Sequence, residues 1–261
     1  MACRALNHTN PADSVADPRM PKLPRAILFD LDDTILVAFG PAESQWRRII
    51  GAYTEHLAPL APAAAITAIM DSSRDLWADP ARHKHWRHRI GEARRRIVAN
   101  AFATLASAGH AVPERSLSDE IADRYNALHD AELQCFPGAH DTLDQLKDLG
   151  VRLALITNGA AEPQRAKVIR FALEHRFDHI QIEGEHGFGK PEERAYTHAM
   201  AALGVEPGET WMVGDNLEWE VVAPQRLGIH AIWHDGYGIG LPPDCPIRPD
   251  RIIRTLPELL T

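Results

Sequence analysis

The stretch RAILFDLDDTILV, residues 25–37, carries an apolar segment directly into three closely spaced carboxylates. Residues 26–29 are apolar, and Asp30, Asp32 and Asp33 follow within four positions. Crowding like charges and burying them costs free energy unless another group offsets that cost. A bound cation and a demanding reaction would offset it, whereas a solvated turn would avoid it. The remainder of the sequence must distinguish these two explanations.

Composition narrows the class of protein. The chain has 261 residues, of which 45% are hydrophobic, so it is long enough for one large domain or two smaller ones. A net charge of -8 argues against general nucleic-acid affinity. Cys3, Cys135 and Cys245 are far apart, which favours a reducing cytoplasm over a disulfide framework. Residues 1–24 lack the apolar core of a signal peptide and are interpreted as a disordered tail, and no apolar run approaches the length of a membrane span.

Strand-like segments alternate with helical patterns, which predicts an α/β fold with a Rossmann-like parallel sheet covered on both faces. We expect this core to comprise residues 25–39 and 131–261. In such a sheet the ligand lies beyond the carboxyl ends of the strands, and Asp30, Thr157 and Asp215 each end a predicted strand. The predicted strands have the sequences AILFD, VRLALIT, HIQIEG, WMVGD and IHAIWH.

Residues 40–130 contain no convincing strand, and we predict a helical cap inserted after the first strand. Its segment ARHKHWRHRIGEARRR, residues 81–96, has six Arg, one Lys and three His against one Glu. The first interpretation is a solvated helix face; the alternative is a flank, with Arg89 as its candidate, that faces the sheet edge and steers anionic substrates. The neighbouring cations disfavour a metal site at these histidines. On a single helix the apolar stripe would comprise Trp86, Ile90, Ala93 and Ile97.

Three groups of residues predict chemistry near the strand ends. Asp30 and Asp32 are two residues apart, so an extended chain places them on one side, where one carboxylate can act as nucleophile and the other can move protons. Thr157 and Asn158 supply a hydroxyl and an amide able to hold the oxygens of an anion. Lys190, just before a predicted helix, is a point charge able to bind phosphate and to pair with the acids.

A fourth group, which is acidic, lies in WMVGDNLEWEVV, where Asp215 follows Gly214 and precedes Glu218 and Glu220. Several carboxylates at one edge suit a hard divalent cation with oxygen ligands, and Mg²⁺ commonly takes one or two carboxylates together with phosphate and water. Each group alone is a weak signal, because Asp-x-Asp, Thr-Asn and Gly-Asp also occur in turns and helix caps. Their order along successive strand ends is far more specific.

Together these motifs resemble the haloacid dehalogenase superfamily, in the phosphatase branch that has a helical cap after the first strand and is similar to phosphoglycolate phosphatases. DLDDT matches the first motif of that family, LITNG the second, Lys190 in GKPEERAY the third, and MVGDNLEWE the fourth. The resemblance extends from residue 25 to about residue 233. It implies an enzyme that hydrolyses a small phosphorylated metabolite with Mg²⁺, without a nucleic-acid or membrane partner.

The resemblance also implies roles for individual residues. Asp30 would attack phosphorus and form an aspartyl-phosphate, and Asp32 would protonate the leaving oxygen and then activate water. Thr157, Asn158 and Lys190 would bind the phosphoryl group. Mg²⁺ would be held by Asp30, Asp32 through its backbone carbonyl, and Asp215, with Glu220 and Asn216 as possible outer ligands.

Two departures from the family pattern affect the fourth motif. Glu220 stands where the family usually has an aspartate, and Pro224 stands where the following helix is expected to continue. Because proline lacks a backbone donor, we expect this helix to start late or to kink. Asn216 is expected to cap the helix, or alternatively to contact Lys190 or Asp215.

Three other functions remain open from the sequence. A phosphomutase would return the phosphoryl group to the bound sugar instead of passing it to water. A metal-free 2-haloacid dehalogenase would also use an aspartate nucleophile, but it needs no acid at the position of Asp32. A non-catalytic binding protein of the same fold would not need the full set of motif residues.

Overall fold

A computed structural model of the protein describes residues 23–40 and 42–261. The predicted disordered tail, residues 1–24, therefore lies outside the described residues except for its last two. Leu23 packs against the apolar core, and the predicted disorder of the tail stays a prediction. The strands are β1 (Ala26–Phe29), β2 (Leu36–Val37), β3 (Gln134–Cys135), β4 (Arg152–Thr157), β5 (His179–Ile182), β6 (Thr210–Gly214), β7 (His230–His234) and β8 (Arg251–Ile253).

Six of these strands form one sheet in the order β5-β4-β1-β6-β7-β8, and every pairing in it is parallel. The α/β, Rossmann-like fold predicted from the sequence is confirmed. The central strand β1 is entirely apolar because both of its faces are covered. Phe29 is in register with Leu155 on β4 and with Val213 on β6, so the chain leaves all three strands at one edge of the sheet.

Helices cover the sheet and form a separate group between β2 and β3. Alternate side chains of β1 enter different clusters, with Ile27 and Phe29 on one face and Ala26 and Leu28 on the other. The helices are α1 (Ala42–Ala52), α2 (Thr54–Leu57), α3 (Pro62–Ala78), α4 (Pro80–Trp86), α5 (Ile90–Ser107), α6 (Arg115–Glu132), α7 (Ala139–Asp148), α8 (Ala161–Arg170), α9 (Glu183–His186), α10 (Glu193–Leu203) and α11 (Ala223–Arg226).

Helices α1 to α6, which we call the cap, share an apolar cluster of their own. The cap joins the sheet domain through β2 and β3, which pair antiparallel, Leu36 with Cys135 and Val37 with Gln134. A private core and a two-stranded connection support the predicted division into a core and a cap of residues 40–130. We retain that division as a proposal.

The basic segment, residues 81–96, is not one helix as the predicted stripe required. Helix α4 ends at Trp86 and α5 begins at Ile90, and Arg87 lies in the turn between them. Ala93 and Ile97 enter the cap core as predicted, but Trp86 only flanks it. Because of this break, Arg87 lies in a turn and not on the surface of one continuous helix.

The helix after the fourth motif begins without delay, directly after Asn216. The Asn216 side chain accepts hydrogen bonds from the backbone N–H groups of Glu218 and Trp219, both at 3.1 Å. The predicted role of Asn216 as the N-cap of this helix is therefore confirmed. The predicted irregularity takes the form of a π-helical turn, Leu217–Val222, ahead of α11, which contains Pro224. A wider turn suits this position because proline offers no N–H to a regular helical bond.

The stability of the protein should decline in acid through His129. This residue of α6 is buried, and its ring stacks against Tyr125 and Phe39. Burial lowers its pKa from 6.5 to about 4, assisted by Arg94 and Lys167. The ring is therefore neutral when folded but charged when unfolded between these values, so the unfolded chain binds more protons there. We expect the free energy of unfolding to fall by about 3 kcal/mol as the pH falls from 6.5 to 4.

Urea denaturation at a series of pH values measures this dependence. His129→Gln should flatten the slope in that interval, whereas the same change at the exposed His110 should leave it unaltered. An equal slope in the wild type and His129→Gln would contradict the assignment.

Candidate active site

Asp30 follows β1 and is buried at the carboxyl edge of the sheet. Its backbone N–H donates to Val213 O at 3.0 Å, which continues the pairing with β6. Its Oδ1 accepts a hydrogen bond from Lys190 Nζ at 2.5 Å, and its Oδ2 accepts one from Thr34 Oγ1 at 3.2 Å. Burial raises the pKa of Asp30, although Lys190 opposes this. The carboxylate is thus held in a fixed orientation at the centre of the edge.

Lys190 is only 1% exposed and lies between two carboxylates. Besides Asp30, its Nζ lies 2.8 Å from Glu220 Oε1. Burial alone would lower the pKa of Lys190, but Asp30 and Glu220 outweigh it and raise the pKa. Burial raises the pKa of Glu220 even though Lys190 opposes it. Lys190 therefore retains its charge because both neighbouring acids favour it.

Glu220 reaches this position because Gly214 has no side chain. A Cβ at Gly214 would lie 2.0 Å from Cγ of Glu220, so a side chain at position 214 would clash with Glu220. The second Glu220 oxygen accepts a hydrogen bond from Asn216 N at 2.7 Å. In this structure the glutamate is therefore a partner of Lys190, and its predicted outer contact with a metal stays a prediction.

Asp32 makes a different set of contacts from Asp30. Lys167 Nζ lies 2.8 Å from both oxygens of Asp32, and Gln164 Nε2 donates to Oδ2 at 3.0 Å. Burial raises the pKa of Asp32, but Lys167 and Gln164 lower it more, so the net pKa is below the usual value. Both partners lie on α8, and the sequence analysis did not identify them. Their spacing of three residues on the helix after LITNG was the available signal.

Thr157 is the last residue of β4 and Asn158 follows it, at the strand end as predicted, but their side chains have different environments. Thr157 is buried, and its Oγ1 accepts a hydrogen bond from Gln164 Nε2 at 2.6 Å. The Asn158 side chain is used to hold the backbone of Lys190, accepting from Lys190 N at 2.8 Å and donating to Lys190 O at 2.7 Å. This positions Lys190, and direct binding of phosphate by Asn158 stays a prediction.

The third carboxylate of the opening stretch has a structural role. Asp33 Oδ1 accepts hydrogen bonds from Ala38 N and Phe39 N, both at 2.8 Å, and from Tyr237 Oη at 2.7 Å. It also has a positive φ of 61°. Asp33 therefore shapes the turn between β1 and β2, and the charge crowding is divided among three separate sets of partners.

Asp215 completes the acidic edge at the end of β6. Its backbone carbonyl accepts a hydrogen bond from Trp233 Nε1 at 2.6 Å. Burial raises the pKa of Asp215 well above its usual value, and the charges of Glu220, Asp30 and Asp33 raise it further. A divalent cation would offset this excess of negative charge, and the available donors are oxygens only, as Mg²⁺ requires. The donor set therefore fits a hard divalent cation.

One ion pair links the cap to the sheet domain close to Lys190. Arg87 is buried, bonds to the carboxylate of Glu183, and donates to Lys190 O at 3.3 Å. Glu183 also accepts from Gly159 N at 3.0 Å and lies 3.3 Å from His88 Nε2. Neither Arg87 nor Glu183 was predicted from the sequence. Arg89 is exposed at the start of α5, and its steering of substrates stays a prediction.

Arg87→Met should lower the free energy of unfolding by about 2 kcal/mol, because Glu183 would lose its main charged partner while remaining buried. Gly159 and His88 would still compensate part of the charge. Chemical denaturation measures the loss. The matched control is Arg82→Met, which removes an exposed pair with Asp75 and should cost well under 1 kcal/mol. Equal losses in both variants would contradict a special role for Arg87.

Comparison with known proteins shows which proteins this chain resembles. A family model described as haloacid dehalogenase-like hydrolase matches residues 24–228. A phosphoserine phosphatase from Thermus thermophilus is 36% identical over 170 residues, which cover 65% of this chain and 64% of that protein. A glyceraldehyde 3-phosphate phosphatase from Pyrococcus abyssi is 28% identical over 209 residues, which cover 80% of each.

Solved structures give the same result for the fold. A HAD-hydrolase from Bacillus subtilis, bound to magnesium, aligns with a TM-score of 0.64 at 24% identity, covering 91% of this chain and 97% of that one. A 2-haloacid dehalogenase from Pseudomonas syringae aligns with a TM-score of 0.55 at 25% identity, covering 91% and 98%. Fold alone therefore does not separate phosphatases from dehalogenases. Among the described residues no helix is both long enough and apolar enough to cross a membrane.

Proposed function

The chain belongs to the haloacid dehalogenase-like hydrolases, and from this premise we propose that it is a Mg²⁺-dependent phosphatase of a small phosphorylated metabolite. The observation that carries the proposal is the pairing of Asp30 with Lys190, with Asp32 two residues away. The phosphatase relatives support the same class of substrate. Cys135 and Cys245 are free thiols, which supports a location in the cytoplasm.

The first half of the reaction uses Asp30 and Asp32. A carboxylate oxygen of Asp30 attacks phosphorus, the bond from phosphorus to the leaving oxygen breaks, and Asp32 supplies a proton to that oxygen. The alcohol departs and an aspartyl-phosphate remains. Lys190 lies against Asp30, and Thr157 ends the neighbouring strand β4, so the lysine can neutralise the phosphoryl oxygens and the threonine hydroxyl can help to position them.

The second half restores the enzyme. Asp32, now deprotonated, takes a proton from a water molecule as that water attacks phosphorus. The bond between phosphorus and Asp30 breaks, and inorganic phosphate leaves. Before substrate binds, Lys167 and Gln164 favour the charged form of Asp32. The negative charge of an incoming phosphoryl group opposes them and raises the pKa of Asp32 toward the protonated form that the first step needs.

The residues that would hold Mg²⁺ are Asp30 and Asp215 through their carboxylates and Asp32 through its backbone carbonyl. When bound, the ion supplies positive charge that offsets both the carboxylates and the phosphoryl oxygens. The carboxylate of Asp32 forms an ion pair with Lys167. We therefore assign this carboxylate to proton transfer and not to metal binding.

Phosphate release from a panel of phosphorylated metabolites tests the proposal. The purified full chain should release inorganic phosphate from at least one of them with Mg²⁺, lose the activity with EDTA and regain it when Mg²⁺ is restored. Transfer of the phosphoryl group back to a sugar without phosphate release would indicate a phosphomutase. Chloride release from 2-chloropropionate that persists in EDTA would indicate a dehalogenase.

Lys167→Met tests the assignment of Asp32. Because Lys167 lowers the pKa of Asp32, its removal should raise that pKa and move the limb of the kcat/KM profile that reports Asp32 to higher pH. Lys84→Met, which removes an exposed cap lysine paired with Glu192, is the control and should leave the profile in place. An unshifted profile in Lys167→Met would contradict proton transfer by Asp32.

A further inference from the structure

Three histidines outside the candidate active site lie together at the outer edge of the sheet. His179 begins β5, His186 ends α9, and His198 lies within α10. One ring nitrogen of each lies within 4.8 Å of one ring nitrogen of each of the others. The three ring centroids are 5.3 to 6.1 Å apart. Two consecutive elements, β5 and α9, and the following helix α10 thus bring three imidazoles together.

Hydrogen bonds fix which nitrogen two of these rings can offer. His186 Nδ1 lies 3.1 Å from the backbone carbonyl of Ile182, which can only accept, so Nδ1 carries the proton. His198 Nδ1 lies 2.8 Å from Gln181 Oε1, and Gln181 is itself oriented by donating to Ala195 O at 2.9 Å. In both rings Nε2 therefore has a free lone pair. Protein ligands of metals are commonly oriented in this way, with the second ring nitrogen donating to a carbonyl.

The third ring has an unsatisfied polar atom. His179 Nε2 is buried and has no hydrogen-bond partner among the described residues. A buried polar atom without a partner costs free energy, and a metal ion would satisfy it. Simple aromatic packing would explain the ring contacts but not this atom.

We propose that His179, His186 and His198 form a second metal site that binds Zn²⁺, separate from the oxygen-rich site of Asp30 and Asp215. Neutral imidazole suits Zn²⁺, and three histidines with one water molecule complete a tetrahedral set. His198 is half-buried and keeps some contact with solvent, which gives water access to the fourth position. In a zinc site of this kind the ligand nitrogens are about 3.4 Å apart, so the rings need to move by at most about 1 Å on binding.

Occupation of this site would tie together the elements that lead into Lys190. Glu183 precedes His186 on α9, and Lys190 follows it by four residues. Lys190 lies between His186 and His198 in the chain, so the ion would fix both ends of the segment that contains this lysine. This role is stabilising, and it does not depend on the proposed phosphatase activity.

The test measures metal content and thermal stability of the full chain, not its activity. Protein stripped with EDTA is supplied with saturating Mg²⁺, titrated with Zn²⁺, separated from free ion and analysed by mass spectrometry of the metal. We expect about one Zn²⁺ per chain and a rise in Tm of about 5 °C. Co²⁺ in place of Zn²⁺ should give the visible absorption of a tetrahedral complex.

The double variant His186→Ala with His198→Ala should lose the bound Zn²⁺, the rise in Tm and the Co²⁺ spectrum. The matched control alters two exposed histidines elsewhere, His110→Ala with His175→Ala, and should behave as wild type. If the wild type binds no Zn²⁺ under these conditions, or if the double variant binds as much as wild type, the proposed site is wrong. Loss of phosphatase activity without any change in Zn²⁺ binding would bear only on the function proposed for Asp30.

Discussion

Asp30→Asn is expected to reduce kcat by about 10³-fold or more while leaving the protein folded. The amide oxygen of asparagine can still accept the hydrogen bond from Lys190, and Glu220 remains as the charged partner of that lysine. The variant therefore loses the nucleophilic oxygen with little change in packing. Steady-state phosphate release measures the first effect, and thermal denaturation measures the second.

The matched control is Glu218→Gln, which removes an exposed carboxylate from the fourth motif and should retain near wild-type kcat. Acid-quenched wild type turning over a radiolabelled phosphomonoester should carry label on the peptide that contains Asp30. Substantial turnover by Asp30→Asn would refute an aspartyl-phosphate on this residue.

Lys190→Met is expected to have the largest effect on stability, lowering the free energy of unfolding by about 3–5 kcal/mol near pH 8. Lys190 is the cation between Asp30 and Glu220, and all three side chains are buried. Its removal leaves two carboxylates together without a countercharge. Catalysis should also fail, because the same lysine is proposed to neutralise the phosphoryl group.

The pH dependence of that loss distinguishes charge from packing. Without Lys190 the pKa values of both carboxylates rise above their unfolded values, so the folded state binds more protons than the unfolded chain. The stability gap between the variant and the wild type should therefore narrow as the pH falls from 8 to 5. Lys147→Met, which removes an exposed pair with Asp178, should cost well under 1 kcal/mol at every pH. A gap that does not change with pH would indicate lost packing instead.

Much of this fold follows from local patterns. Apolar segments bounded by glycine, proline and charged residues predicted five strands of the sheet, β1, β4, β5, β6 and β7. Asp30, Thr157 and Asp215 were expected at one edge because parallel strands place their carboxyl ends together, and the register of β1 with β4 and β6 places the ends of those strands there.

The contacts that were not foreseen depend on long-range geometry. Lys167 meets Asp32 across 135 positions, and Arg87 meets Glu183 across 96, so no local period links either pair. Arg87 also required the break between α4 and α5, which the apolar stripe through Trp86 and Ile90 concealed. Asn158 was correctly placed at the end of β4, yet the sequence did not reveal that its amide supports Lys190.

The two connections between cap and sheet domain differ in kind. On one side the chain crosses through β2 and β3, a ribbon only two residues long on each strand. On the other side Arg87 bonds to Glu183 beside Lys190. A ribbon this short can serve as a hinge for the cap, whereas the ion pair of Arg87 with Glu183 holds the cap against the sheet domain. Because this buried ion pair is shielded from counterions, separation of the cap from the sheet domain should respond weakly to ionic strength. It should respond strongly to any ligand anion that competes for the guanidinium of Arg87.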